Sequence, residues 1–289
     1  MPRGSDIIDC RQASRPERRR RRIIVIIEQL SVDNLREGVF CARGKPHGDE
    51  MYSTLEAWLD GNMLRGLLVR AADGEPAGFI LYYPIEHAPL DVEGDGLYVS
   101  HCMFVKPDQQ GNGFGRALIE AAIADARDSG ASGLAMEGFR EGGRGVFSFV
   151  PGTFLKHVGL AEGPSRGMGT LYYTAFRNEA EQPRYMEPRR PPSRNPNKVR
   201  IDIFDCRNCY IGATNREVVK AVMERLGEDR FELAVSDYST RQAVVDRGMP
   251  SGVFVDGALT FFRGPISEDD VLNALEAAWA ARKADTDRG

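Results

Sequence analysis

The chain has 289 residues, 42% of them hydrophobic, and its 38 basic and 42 acidic residues leave a formal net charge of -4. That length suits two domains with real cores, and the near-balance of charge gives no global bias toward nucleic acid or a membrane surface. The early apolar run at 23–27 is closed by Glu28, too short for a membrane span or a signal-peptide core. The cysteines number five, an odd count that includes a C-x-x-C and makes no secreted disulfide framework, so a cytoplasmic location is expected.

Residues 1–22 read as a disordered basic tail, ending in arginines at 18–22. A strand is predicted over 23–29, helices around 34–42 and 52–59, and strands over 66–72 and 77–83 with Asp73-Gly74 as the turn between them. The strand at 97–105 stops at Lys106-Pro107. From Gly115 onward Leu118, Ile119, Ala122, Ile123 and Ala126 repeat at helical spacing until Gly130 stops them. A short strand at 133–137, a segment at 151–158 ending in Gly159-Leu160, and a strand at 171–176 follow.

Between the strand at 97–105 and the helix after it lies Gln109-Gln110-Gly111-Asn112-Gly113-Phe114-Gly115-Arg116. Glycines allow close backbone approach, and the first amides of a helix lack internal partners, so they can donate to phosphate oxygens. A P-loop would need Gly-Lys-Ser/Thr at its end, and none follows. A dinucleotide fingerprint would need an acid about 20 residues on; Asp125 and Asp128 come too soon and lie inside the helix.

From about 178 to 198 the prolines 183, 188, 191, 192 and 196 alternate with arginines, a composition that stiffens a linker and buries no core. The pattern restarts with a strand at 200–204, then Cys206-Arg207-Asn208-Cys209, then a helix over 215–226 with Thr214 and Glu217 in capping-box spacing. A strand at 231–235, a helix at 240–247, Met249-Pro250, strands at 252–255 and 259–262 around Asp256-Gly257, and a helix at 268–282 complete it.

The order Val-x-Pro-x-x-Gln-x-x-Gly-x-Gly, carried by Val105, Pro107, Gln110, Gly113 and Gly115, resembles the acetyl-CoA pyrophosphate loop of GNAT acyltransferases. The second half is similar in order to a thioredoxin-like fold, with Met249-Pro250 where that fold places a cis-proline beside its cysteines. Together they resemble GNAT acetyltransferases that carry a YoaP-like C-terminal domain. Further residues in that match are Gly38-Val39-Phe40-Cys41-Ala42 and His101-Cys102-Met103-Phe104-Val105. The resemblance implies an α/β (α+β) architecture: a GNAT domain over 23–177, a Pro/Arg-rich linker over 178–198 and a thioredoxin-like domain over 199–284.

It also implies an acetyl-CoA-dependent N-acetyltransferase acting on an amine by direct attack, with no nucleic acid or membrane partner and a homodimer compatible with it. Amides of Gln110, Gly111, Asn112, Gly113, Phe114, Gly115 and Arg116 are expected to hold the pyrophosphate, and an amide near Phe104 or Val105, where such strands bulge, to meet the thioester carbonyl. His101 reads either as the general base or as a buried structural histidine. Glu86 and His87 are second-choice bases, and Glu137 either directs a water or is a solvated strand-end glutamate. The family's acidic tyrosine is replaced by Leu155, so Cys102, Tyr98, Tyr172 or water would have to protonate the leaving thiolate.

Cys206 and Cys209 read as a redox pair beside Pro250, with Cys206 at a helix start that lowers its pKa and Cys209 resolving. Soft-metal binding by the pair and a purely packing role are the alternatives. Zinc would need two more ligands, and no metal is expected. Cys10, Cys41 and Cys102 read as free thiols, Cys102 buried. The rival reading of the whole is a non-catalytic acyl-CoA-binding redox or soft-metal sensor.

Overall fold

The computed structural model describes residues 25–139, 150–177, 180–189, 195, 197–262 and 264–286; the basic tail and Cys10 lie outside them. β1 (Ile26–Gln29) leads into α1 (Leu35–Gly38), a 3-10 turn (Phe40–Ala42) and α2 (Gly48–Asp60). The helix predicted over 34–42 therefore breaks at Val39, which is buried and carries φ -91 and ψ 66. A Cβ at Gly38 would meet Leu30 Cδ2 at 2.5 Å, so Leu30 packs closely against the end of the helix.

β2 (Arg65–Arg70) and β3 (Pro76–Pro84) form a hairpin, followed by β4 (Val92–Glu93), β5 (Leu97–Val105), α3 (Phe114–Asp128), β6 (Gly133–Phe139), α4 (Gly152–Val158), β7 (Ala161–Arg166) and β8 (Gly169–Ala175). Strand β7 escaped the sequence reading because its residues, Gly163 and Pro164 among them, are half-exposed or exposed and it forms a sheet edge. The seven-stranded sheet has the order β1-β2-β3-β5-β6-β8-β7. Only the β5–β6 pair at its centre is parallel.

Both faces are covered, which is why β3 reads as an unbroken apolar run. Phe79, Leu81 and Tyr83 face a core with Leu35, Met51 and Leu55; Ile80 and Tyr82 face one with Leu118, Ile119 and Leu155. Each such fully buried side chain contributes about 1.5–3 kcal/mol.

The segment read as a linker is anchored. β9 (Arg184–Tyr185) pairs antiparallel with β4, Met186 is buried, and Arg189 N–H donates to Arg247 O at 2.7 Å. After it come β10 (Val199–Asp205), α5 (Tyr210–Leu226), β11 (Phe231–Asp237), α6 (Arg241–Arg247), β12 (Gly252–Val255), β13 (Ala258–Phe262) and α7 (Glu268–Thr286). Their sheet has the order β11-β10-β12-β13, with β10 and β11 parallel and the other pairs antiparallel.

α5 begins five residues earlier than predicted, so Thr214 lies inside it. Its hydroxyl donates to Tyr210 O at 3.0 Å rather than capping. Thr240 does cap α6, its Oγ1 accepting from Ala243 N–H at 3.2 Å. The two sheets are joined by Arg241, which donates to Leu90 O at 2.6 Å, and by the ion pair Arg216–Glu50 at 3.8 Å.

Candidate active site

β3 and β5 keep one register from Gly78↔Val105 to Leu81↔Cys102 and resume at Tyr82↔Ser100. His101 falls at this shift in register, a β-bulge. Ser100 Oγ donates to Leu81 O across the shift at 2.9 Å. On its other side β5 pairs with β6 only from Leu97↔Gly133 to Ser100↔Met136. Both strands continue, to Val105 and Phe139, so they part at the bulge.

The expected bulge near Phe104 or Val105 thus lies at His101 instead. Residue types gave no warning, because the bulge is set by where β3 and β5 fall out of step. Lys106 N–H donates to Ala77 O at 2.9 Å, and antiparallel alternation turns the Phe104 amide toward β3 as well. Met103 and Val105 present their amides to the gap.

A bulge re-aims side chains. His101 and Cys102, consecutive in sequence, both line a cavity of about 210 Å³ between the two sheets. Glu137 lines it from β6, across the gap. Its Oε1 accepts from Tyr185 Oη at 2.8 Å, so Glu137 is held rather than simply solvated. Glu86 and His87 do not line this cavity.

At the far end of β5 the glycine-rich loop is exposed. Gly113 caps α3 at φ 87, in the left-handed region, and offers no side chain to the first-turn amides. Nothing lies within 4 Å of where a Cβ would stand at Gly111 or Gly113. Gln110 Nε2 donates to Val105 O at 3.3 Å, and Arg116 Nη2 to His157 O at 2.9 Å, tying the loop to β5 and α4. Room, uncapped amides and a left-handed glycine together fit a pyrophosphate.

Leu155 is fully buried on α4. A Cβ at Gly138 would meet the Tyr172 ring at 2.7 Å and Leu155 Cδ1 at 2.9 Å, so Tyr172 packs beside the leucine.

The C-x-x-C closes the same cavity from the other sheet, with Cys206 and Cys209 both lining it. α5 starts only at Tyr210, with Cys209 as its N-cap, so Cys206 precedes the helix instead of opening it. Arg207 adopts φ 52 and pairs with Asp237 at 3.3 Å. Cys206 Sγ donates to Asn208 Oδ1 at 2.7 Å.

Burial pushes the Cys209 thiol up to about 12, against the opposing Ile211 amide. Burial also raises Cys41, to about 11, and lifts Cys102 well above its ordinary value although the residue as a whole is only half-buried. Asp205, beside Cys206, is raised by burial and opposed by the Arg207 amide and Arg216. Pro250 is buried and its neighbours Ser251 and Gly252 line the cavity, whereas Pro250 itself does not. Among the described residues no cluster of three His, Cys, Asp or Glu side chains is arranged to hold a metal ion. Tyr83, Asn208 and Cys41 join this neighbourhood without having been read as site residues; only the placement of Asn208 inside the C-x-x-C could have suggested it.

Residues 32–141 match the family described as Acetyltransferase (GNAT) family. This segment is a GNAT acetyltransferase domain. It is an acyltransferase fold whose family uses acetyl-CoA as co-substrate. A curated relative, "Uncharacterized N-acetyltransferase YoaP" of Bacillus subtilis (strain 168), is 23% identical over 107 residues, 37% of this chain. The chain spans 43% of the length of that relative.

Among solved structures, PaiA N-acetyltransferase from Thermoplasma acidophilum in complex with coenzyme A is 16% identical, with 53% of this chain and 99% of that one covered at a TM-score of 0.37. A mutant of SpeG spermidine N-acetyltransferase from Vibrio cholerae is also 16% identical, with 52% and 93% covered at a TM-score of 0.40. What those proteins bind or acetylate stays with them.

Proposed function

We propose that the chain is an acetyl-CoA-dependent N-acetyltransferase that acetylates a small amine admitted to the cavity between the two sheets. The observation that carries this reading is the bulge at His101, which opens the β5–β6 gap and aims a basic side chain into the cavity. Acetyl-CoA supplies an activated acetyl thioester. Amides of residues 110–116 hold its pyrophosphate, and the Met103 and Val105 amides polarise the carbonyl in the gap.

His101 takes the proton of the attacking amine, through a water that Glu137 orients or directly. As the carbon–sulfur bond breaks, the leaving thiolate takes a proton. Water supplies it where Leu155 cannot, because burial makes the Cys102 thiol a weaker acid than an ordinary thiol. Positioning and electrostatics of this kind are the main resource of a site that forms no covalent intermediate.

Residues 23–177 serve as the transferase domain, 178–198 as the connecting segment and 199–284 as a thioredoxin-like (YoaP-like) module. The strand order β11-β10-β12-β13, with C-x-x-C after β10 and Met249-Pro250 before β12, supports that assignment. The module walls the acceptor pocket with Cys206, Cys209 and their loop. The burial of Leu155 favours a second reading, a slow or non-catalytic acyl-CoA sensor using the same thiols.

The test is Gly113→Asp. A side chain and a negative charge at the left-handed cap should weaken acetyl-CoA binding well over tenfold by calorimetry. Unchanged affinity removes the acetyl-CoA reading altogether.

A further inference from the structure

Four polar groups run in single file from the C-x-x-C loop to the bulge. Cys206 Sγ donates to Asn208 Oδ1 at 2.7 Å, and Asn208 Nδ2 donates to Tyr83 Oη at 3.3 Å. Tyr83 Oη stands 3.4 Å from His101 Nε2, with the two rings tilted and their centroids 4.9 Å apart. Tyr83 is fully buried and Asn208 is 5% exposed, so water competes little for these bonds.

The chain has a direction. Burial holds the Tyr83 hydroxyl well above its ordinary value, and it keeps its proton. A phenol has one proton to give. With Asn208 donating into the oxygen, that proton points to His101 Nε2. A neutral imidazole accepting at Nε2 carries its own proton on Nδ1.

The far end decides which way the chain runs. A Cys206 thiol has a proton to donate and therefore faces the carbonyl of Asn208. A sulfur without that proton can only accept, which favours the amide turned over. Tyr83 would then donate to Oδ1, and His101 would donate from Nε2.

We propose that Asn208 and Tyr83 are positioning residues that set the tautomer of His101, and that the Cys206 thiol proton fixes the direction of the chain. With the thiol proton in place both ring nitrogens are engaged, Nε2 by the Tyr83 hydroxyl and Nδ1 by its own proton, so the C-x-x-C loop holds His101 off its duty as base. Loss of the thiol proton turns the chain over and leaves Nδ1 open to take the amine's proton. The catalytic consequence rests on His101 being the base; the tautomer assignment does not. Other titratable groups lining the same cavity as this ring are Cys102 from its own strand, Glu137 from β6 and Cys41 from the 3-10 turn. From the opposite sheet Asp205, Cys209 and Tyr210 face the same space.

The experiment is nitrogen-15 NMR of the histidine rings in the reduced full-length protein, with the His101 signals identified by their loss in His101→Ala. Reduced protein should show His101 dominated by the Nδ1–H tautomer. Tyr83→Phe and Asn208→Leu should each turn that into a mixture. Cys206→Ala should shift it toward Nε2–H, and Cys206→Ser, which restores a donor, should keep it. A tautomer that is the same in Tyr83→Phe, Asn208→Leu and Cys206→Ala, all folded by their amide spectra, overturns the proposal. Identical behaviour of Cys206→Ser and Cys206→Ala overturns the role of the thiol proton. Coenzyme A release separates the two layers: normal turnover in His101→Ala would defeat the base reading while the tautomer data stand or fall alone.

Discussion

Cys209 has its chemistry set by burial rather than by its motif. Its thiol is an acid raised from 9.0 to about 12 in the fold, so the folded state holds this proton more tightly than the unfolded chain. Between those values the unfolded chain releases it and the native protein does not, and stability falls as pH rises through the window. Cys41 and Cys102 act with the same sign. Urea midpoints of the reduced protein should therefore drop between pH 8.5 and about 10.5, and Cys209→Ala should flatten the drop. Parallel curves for the two proteins would contradict the burial argument. The raised Cys209 thiol gives a second expectation: under limiting iodoacetamide Cys206 should be alkylated before Cys209, which burial keeps protonated. Peptide mass mapping reads the order directly, and faster labelling of Cys209 refutes it.

At the scale of elements the bulge in β5 matters most, because it opens the gap and aims His101. Ser100 secures it by donating to Leu81 O from a buried position. Ser100→Ala should cost about 1–3 kcal/mol of stability by leaving that carbonyl unsatisfied. It should also lower kcat more than stability alone accounts for, as the bulge relaxes. Full turnover per folded molecule in Ser100→Ala would show that the bulge needs no such support.

The strand at 97–105, the helix from Phe114 and the glycine loop between them were legible because apolar periodicity and glycine positions are local signals. The bulge was not, since it depends on register against a strand some 20 residues earlier. The start of α5 was misread for a related reason: Thr214 and Glu217 have capping spacing, but the helix continues back to Tyr210, with Cys209 as its N-cap. Tyr185 looked like a linker residue and in fact reaches Glu137, a contact fixed by the path of the chain rather than its composition.

For the whole molecule, the cavity belongs to neither sheet alone. One wall is His101, Cys102 and Glu137; the other is the C-x-x-C loop, held in place by Arg241 on Leu90 O and by Asn208 on Tyr83. On the proposed reading, acceptor choice is a property of both halves. The glycine loop, outside the cavity, should bind acetyl-CoA without regard to the acceptor wall. Binding and transfer are thus separable by mutation. The measurement that tests this most directly is steady-state coenzyme A release by His101→Ala over a panel of small amines, with acetyl-CoA Kd measured alongside. Loss of a positioned base should lower kcat by roughly 10² to 10⁴ and remove the acidic limb of the pH–rate profile, with Kd nearly unchanged. A variant that is merely less stable, with normal turnover per folded molecule, would contradict the role of His101 and with it the proposed site.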